Sequence, residues 1–171
     1  GPVGTITCSL GDLGLTSTSF DIGVTVDVTG DGTITNTATV SSSTPEGAPG
    51  DETDTEDTLV DVPPVITVTK TAVPDSVEEP GGWVTFTVQI DNTSVEPVTV
   101  TALVDDVFGD LRDAGNAAVA SNTCVAMSPV VGSTASASCS FDGYVAGDAG
   151  DPNHLDTVTA TAEDDESNEV S

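Results

Sequence analysis

Hydrophobic and polar residues alternate with a period of two along most of this chain. Phe20, Ile22, Val24, Val26 and Val28 fall on one side of an extended segment, with Asp21, Gly23, Thr25 and Asp27 on the other. Such alternation marks a half-buried β-strand. Residues 30–33 (Gly-Asp-Gly-Thr) read as a turn and 34–40 as the next strand. Residues 43–58 are acidic and rich in Pro and Gly, which predicts a loop, and 59–62 read as a short closing strand. Pro63-Pro64 sets two backbone dihedrals and removes two ladder donors. A boundary is therefore placed there, dividing the chain into modules 1–62 and 63–171.

Beyond the two prolines the alternation restarts. Strands are predicted at 65–71, 83–90, 98–104, 133–141 and 155–162, with a turn over 74–82. Val84, Phe86, Val88 and Ile90 should point inward, and Trp83 should share the outer face with Thr85 and Thr87. Residues 105–122 read as loop, with one short helical turn at 117–120. Val, Ile and Thr together make a third of the chain, and aromatics only 4%, so the core must be built from small β-branched side chains. Short strands, one polar face each, separated by Gly/Pro/Asp turns, predict an all-β chain of antiparallel β-sandwiches.

Charge narrows the function. There are 29 acidic residues against two basic ones, Lys70 and Arg112, for a formal charge of −27. Two cations cannot build a phosphate-binding patch, which excludes nucleic acid as a partner. An anionic membrane surface would repel the chain, and no apolar run is long enough to insert into a bilayer.

Candidate chemistry is sparse. Cys124 and Cys139, fifteen residues apart in a strand-rich stretch, are expected to form a disulfide; the alternative is three free buried thiols. Cys8 is left odd, and the spacings fit no zinc site. Hard cations such as calcium want several carboxylate oxygens at one spot. The preferred clusters are Asp105, Asp106 and Asp110, and Asp148 with Asp151 and Asp142; Asp27, Asp31, the acids of 51–57 and the run Glu163, Asp164, Asp165, Glu166 are further candidates. The competing reading is a solvated acidic surface. Asn92-Thr93-Ser94 is an N-glycosylation sequon. Lys70 suits an internal amide crosslink to a late asparagine, for which Asn168 is the one near a strand. His154 is the single histidine and no nucleophile elbow accompanies it, so no enzyme is expected.

Residues 65–165 resemble the immunoglobulin-like tandem repeats of unknown function found in bacterial and archaeal surface proteins and extracellular filaments. The resemblance rests on Val68-Thr-Lys-Thr-Ala-Val-Pro74, Glu79-Pro-Gly-Gly-Trp-Val-Thr-Phe-Thr-Val88, Asp91-Asn-Thr-Ser-Val-Glu-Pro-Val98, Val104-Asp-Asp-Val-Phe-Gly-Asp-Leu111 and Asp156-Thr-Val-Thr-Ala160. Residues 3–40 resemble the back half of a sister repeat, through Gly4-Thr-Ile-Thr-Cys-Ser-Leu-Gly-Asp-Leu13 and Asn36-Thr-Ala-Thr-Val40. The resemblance implies tandem Ig-like sandwiches, the first incomplete within this chain, and an extracellular or cell-surface location. It also implies a structural role in a filament or stalk, with copies of the same module as partners. A last strand after Glu166 is expected to be missing or divergent. The incomplete module suggests strand complementation between neighbouring copies. An adhesin or carbohydrate-binding module is the alternative; it would need exposed aromatics for surface glycans, and Tyr144 and Phe108 are the candidates. A salt-adapted soluble domain would explain the acidity by solvation alone.

Overall fold

The computed structural model describes residues 4–26, 30–45, 47, 50, 52–148, 150 and 153–171. Residues 4–26 form no strand, and Phe20, Ile22 and Val24 are 53%, 47% and 70% exposed. This corrects the predicted strand over its described residues. A period-two pattern specifies a face that can be covered, and among the described residues no strand pairs with this segment. Val28 lies outside the described residues.

The first regular elements are β1 (Gly32–Thr39) and β2 (Thr53–Val60), which pair antiparallel in unbroken register from Gly32 opposite Val60 to Thr39 opposite Thr53. Strand β2 begins inside the stretch expected to be loop. Its Thr residues favour extended backbone, and its acids tolerate the position because the hairpin has no covered face. Only Ile34 and Val60 are even partly buried.

From residue 66 onward two antiparallel sheets enclose one core. The first contains β3 (Ile66–Val73), β4 (Gly81–Asn92), β9 (Ser136–Ala146) and the short β7 (Val119–Ala120), in the order β3-β4-β9-β7. The second contains β5 (Val98–Asp105), β6 (Gly109–Asp110), β8 (Val130–Val131), β10 (Val158–Glu163) and β11 (Glu169–Val170), in the order β11-β10-β5-β6 with β8 also on β5. Val84, Phe86, Val88 and Ile90 of β4 and Phe141 of β9 meet Val98, Val100 and Leu103 of β5 and Ala160 and Ala162 of β10. The alternation read from 83–90 is thus the alternation of the core, with Trp83, Thr85 and Thr87 outward.

Three local expectations change. Val119 and Ala120 pair with Gly143 and Asp142 as a strand instead of a helical turn. The helical turn is a 3-10 turn at Cys124–Ala126. A short last strand does follow Glu166: β11 pairs Val170 with Ala162 and Glu169 with Glu163. The disulfide Cys124–Cys139 forms between the 3-10 turn and β9, with the Cα atoms 4.9 Å apart. Cys8 is free and exposed.

Candidate functional site

Strand β3 turns Ile66, Val68 and Lys70 toward the core and leaves the residues between them exposed. Lys70 therefore occupies an apolar register position, and its side chain is only 12% exposed. Its Nζ donates to Asp105 Oδ2 at 2.6 Å and also contacts Asp156 Oδ2. The Asp105 side chain is fully buried at the end of β5, and its Oδ1 accepts the backbone N–H groups of Val107 and Phe108 at 3.0 and 2.9 Å. Asp156 is 9% exposed and precedes β10. Rings line the remaining side. Nζ lies 4.3 Å from the Phe86 centroid, 5.5 Å from Phe141 and 5.6 Å from Phe108. His154 closes the rim, with Nε2 3.6 Å from Asp156 Oδ2. One ammonium thus faces two carboxylates inside an aromatic cup, where exclusion of water strengthens every electrostatic contact.

A second polar cluster lies where the hairpin joins the sandwich. Asp31 and Asp61 flank the open end of the hairpin, Glu96 sits in the β4–β5 turn, and Asp164, Asp165 and Glu166 in the β10–β11 turn. Among the described residues, one oxygen each of Asp31, Glu96, Asp165 and Glu166 lies within 4.8 Å of all the others, and Asp61, Asp164 and Glu166 form an adjoining set of the same span. Asp31 Oδ1 accepts Val62 N–H at 2.7 Å, and Asn168 Nδ2 bridges Asp61 and Asp164 at 3.0 and 2.9 Å. Glu96 is 6% exposed, and both of its carboxylate oxygens are buried without a hydrogen-bond donor. The Asp31 carboxyl beside it, its own burial, and the charges of Asp31 and Asp164 push Glu96 up to about 8. Burial and the Asp165 carboxyl raise Glu166 as well.

The acids preferred from the sequence do other work. Asp105 is held by Lys70 and two backbone amides, so it is not available to a calcium ion in this arrangement. Asp106 and Asp110 are exposed and accept from Thr157 N–H and Arg112 N–H at 2.7 and 2.8 Å, the first tying the end of β5 to the segment before β10 and the second stabilising a turn. None of the three joins either close carboxylate set. Asp148 is exposed beyond β9, and Asp151 lies outside the described residues. Asn92 is 2% exposed, and its Nδ2 donates to the carbonyls of Glu96, Val131 and Gly132 at 2.7, 3.2 and 3.1 Å. In the folded module that nitrogen is buried and engaged with three carbonyls, not presented at the surface. Asn168 is occupied by Asp61 and Asp164, far from the role of Lys70 partner. Sequence reasoning passed over Glu96 entirely. Its one signal is a lone acid set between Val95 and Pro97 in a strand-to-strand turn.

Of the two aromatic candidates, Phe108 is 5% exposed and packs between Phe86 and Phe141. Tyr144 is 46% exposed and meets Trp83, 58% exposed, edge to face at 5.6 Å across the outer surface of β4 and β9. No helix among the described residues is long and apolar enough to cross a membrane. No protein-family model, curated protein or solved structure matches this chain.

Proposed function

We propose that this chain is a structural module of an extracellular or cell-surface filament or stalk, built of tandem immunoglobulin-like sandwiches and joined to copies of itself by strand complementation. The observation that carries this reading is the segment 20–26. It has the alternation of a strand, exposes Phe20, Ile22 and Val24, and has no strand partner among the described residues. The same chain offers acceptors: β1 and β2 make a two-stranded sheet with an unpaired edge on each side. A lone hairpin is marginally stable in water, and open edges template pairing with another chain. Donor strand and acceptor edge on one chain make a second copy the natural occupant. The buried disulfide agrees with an oxidising, extracellular setting.

The test compares wild type with Phe20→Asp/Ile22→Asp/Val24→Asp by light scattering and electron microscopy over a concentration series. Wild type should assemble into linear oligomers, and the triple variant should remain monomeric with unchanged near-ultraviolet circular dichroism. A wild type that stays monomeric at high concentration, or a triple variant that assembles equally well, refutes the proposal. The exposed Trp83–Tyr144 pair favours a second reading as a glycan-binding module, because such rings stack on sugar faces. A glycan array with wild type and Trp83→Ala separates the two.

A further inference from the structure

The geometry points to an internal amide crosslink between Lys70 Nζ and the side-chain carboxyl of Asp156, formed with Asp105 as the proton carrier. Lys70 and Asp156 are 86 residues apart in sequence and in direct contact in the fold. They sit in different sheets' territory, Lys70 in β3 and Asp156 at the entry to β10, so the bond would staple one sheet to the other. One ammonium touches both carboxylates, and Asp156 also faces His154 Nε2 at 3.6 Å. The two acids are also held differently. Asp105 is fixed through its Oδ1 by two backbone amides with its Oδ2 on Lys70, which suits a group that must receive and return a proton without moving. Asp156 lies in a connecting segment against Nζ, which suits the group attacked.

The chemistry balances without any co-reactant. The reacting pair is the Lys70 amine and the Asp156 carboxylic acid, reached by transfer of one proton between two groups already in contact inside the cup of Phe86, Phe108 and Phe141. The Nζ lone pair attacks Cγ of Asp156 and a C–N bond forms. Asp105 takes the proton released from Nζ and gives it to the departing hydroxyl. The C–O bond breaks and water leaves. The sum is Lys amine plus Asp carboxylic acid giving an amide and one water, with Asp105 restored. Proximity supplies the rate, because the reacting groups are held together by the fold.

Intact-mass spectrometry of the reduced, unfolded chain tests this directly. The expected mass is below the sequence mass by one water, about 18 Da by the balance above, with tandem spectra showing the Lys70 peptide joined to the Asp156 peptide. Lys70→Arg, which keeps the charge, and Asp156→Ala should both restore the full mass, and Asp105→Ala should leave most of the chain uncrosslinked. A wild-type chain at full sequence mass overturns the proposal. A water loss mapped to Asp105, or to a dehydrated residue elsewhere, overturns it equally.

A different observation carries a second inference. We infer that Asp31, Glu96, Asp165 and Glu166 bind a divalent cation of the calcium class at the joint between hairpin and sandwich. Clustered surface acids alone would not require an ion. Glu96 adds a second observation: it is 6% exposed, both of its carboxylate oxygens are buried without a donor, and one of them lies within 4.8 Å of an oxygen of each of Asp31, Asp165 and Glu166. All-oxygen, carboxylate-rich sets of this span suit calcium, which accepts irregular coordination, better than magnesium, which holds its waters. The ligands come from the hairpin, the β4–β5 turn and the β10–β11 turn, so the ion would lock the hairpin to the sandwich. Calorimetry on chelator-treated protein should show saturable calcium binding with a raised melting temperature, absent with NaCl at equal ionic strength. Glu96→Gln should weaken that binding at least tenfold while folding normally without the ion. Calcium binding unchanged in Glu96→Gln, or a melting response that NaCl reproduces, overturns the inference.

Discussion

Gly143 offers a sharp test of how the aromatic cup around Lys70 is built. It sits in β9 opposite Val84 of β4 and Val119 of β7, and the Phe108 ring lies on its bare backbone. A Cβ at this position would meet Phe108 Cζ at 2.5 Å, Cε1 at 2.6 Å and Cε2 at 3.1 Å. The ring cannot swing away, because Phe86 and Phe141 stand 5.3 and 5.5 Å from it, centroid to centroid. Overpacking a filled core costs about 1–3 kcal/mol, and three ring atoms in the way put this case near the top. Replacing glycine by alanine restricts the unfolded chain and returns about 0.5 kcal/mol. The net expectation for Gly143→Ala is about 2.5 kcal/mol of lost stability, or a melting point lowered by about 10 °C for a module of this size. Phe108→Leu removes the clashing atoms, so in that background Gly143→Ala should cost less than about 0.5 kcal/mol. Urea unfolding followed by Trp83 fluorescence gives all four corners of the cycle. An equal cost in both backgrounds would show that the ring does not rest on Gly143.

Three further outcomes are expected. Cys124→Ala/Cys139→Ala opens a ring closed across fifteen residues and should lower stability by about 3 kcal/mol, read as a shifted urea midpoint in oxidised against variant protein. Asn92→Ala strips the donor from three carbonyls beside the β4–β5 turn and should cost about 3 kcal/mol in the same assay, with Asn92→Asp no better because it faces acceptors with an anion. Asp91, through Ser136 and Gln89, and Asp142, through Thr85 and Ser121, are held below the ordinary 3.8 of an aspartate. Their folded values are depressed, so the stability they add is present above 3.8 and fades as pH falls through the lower folded values. Ser136→Ala and Thr85→Ala should flatten that acid limb in urea midpoints measured from neutral to strongly acidic pH.

What could be read from the sequence depended on whether the covering partner lies in the same chain. For β4 the alternation of Val84, Phe86, Val88 and Ile90 against Trp83, Thr85 and Thr87 predicts both the strand and its buried face, because β5 and β10 supply the other half of the core. The equally clean alternation at 20–26 predicts a strand that the chain does not form, since nothing here covers it. The Lys70 site was half legible. A lysine at an inward register position signals a buried charge, but its partners Asp105 and Asp156 lie 35 and 86 residues away and only the sheet topology brings them in. The acids preferred from the sequence are not the ones the fold brings together, although Asp31, Asp165 and Glu166 stood among the further candidates. Asp105 and Asp110 accept from amides of their own turns and Asp106 from Thr157 across the sheet, whereas the joint cluster is assembled from three separate segments and includes Glu96, which has no acidic neighbour in sequence.

The charge balance acquires a mechanical meaning once the two cations are placed. Lys70 is enclosed between Asp105 and Asp156, and Arg112 is half-buried with one guanidinium nitrogen shut away from solvent. The surface is therefore close to uniformly negative, and two copies approaching each other repel over the screening length of the medium. Ion pairing between copies has almost no cation to draw on. Cohesion between copies is left to backbone pairing along open edges, to the apolar face of 20–26, and to cations supplied by the solution. Added monovalent salt should then promote association by screening alone, while calcium should act at far lower concentration by occupying the joint. In the proposed assembly the acids and the segment 20–26 would thus pull in opposite directions. Repulsion would oppose lateral clumping of whole surfaces, and strand addition, confined to one segment and two edges, would direct contact end to end.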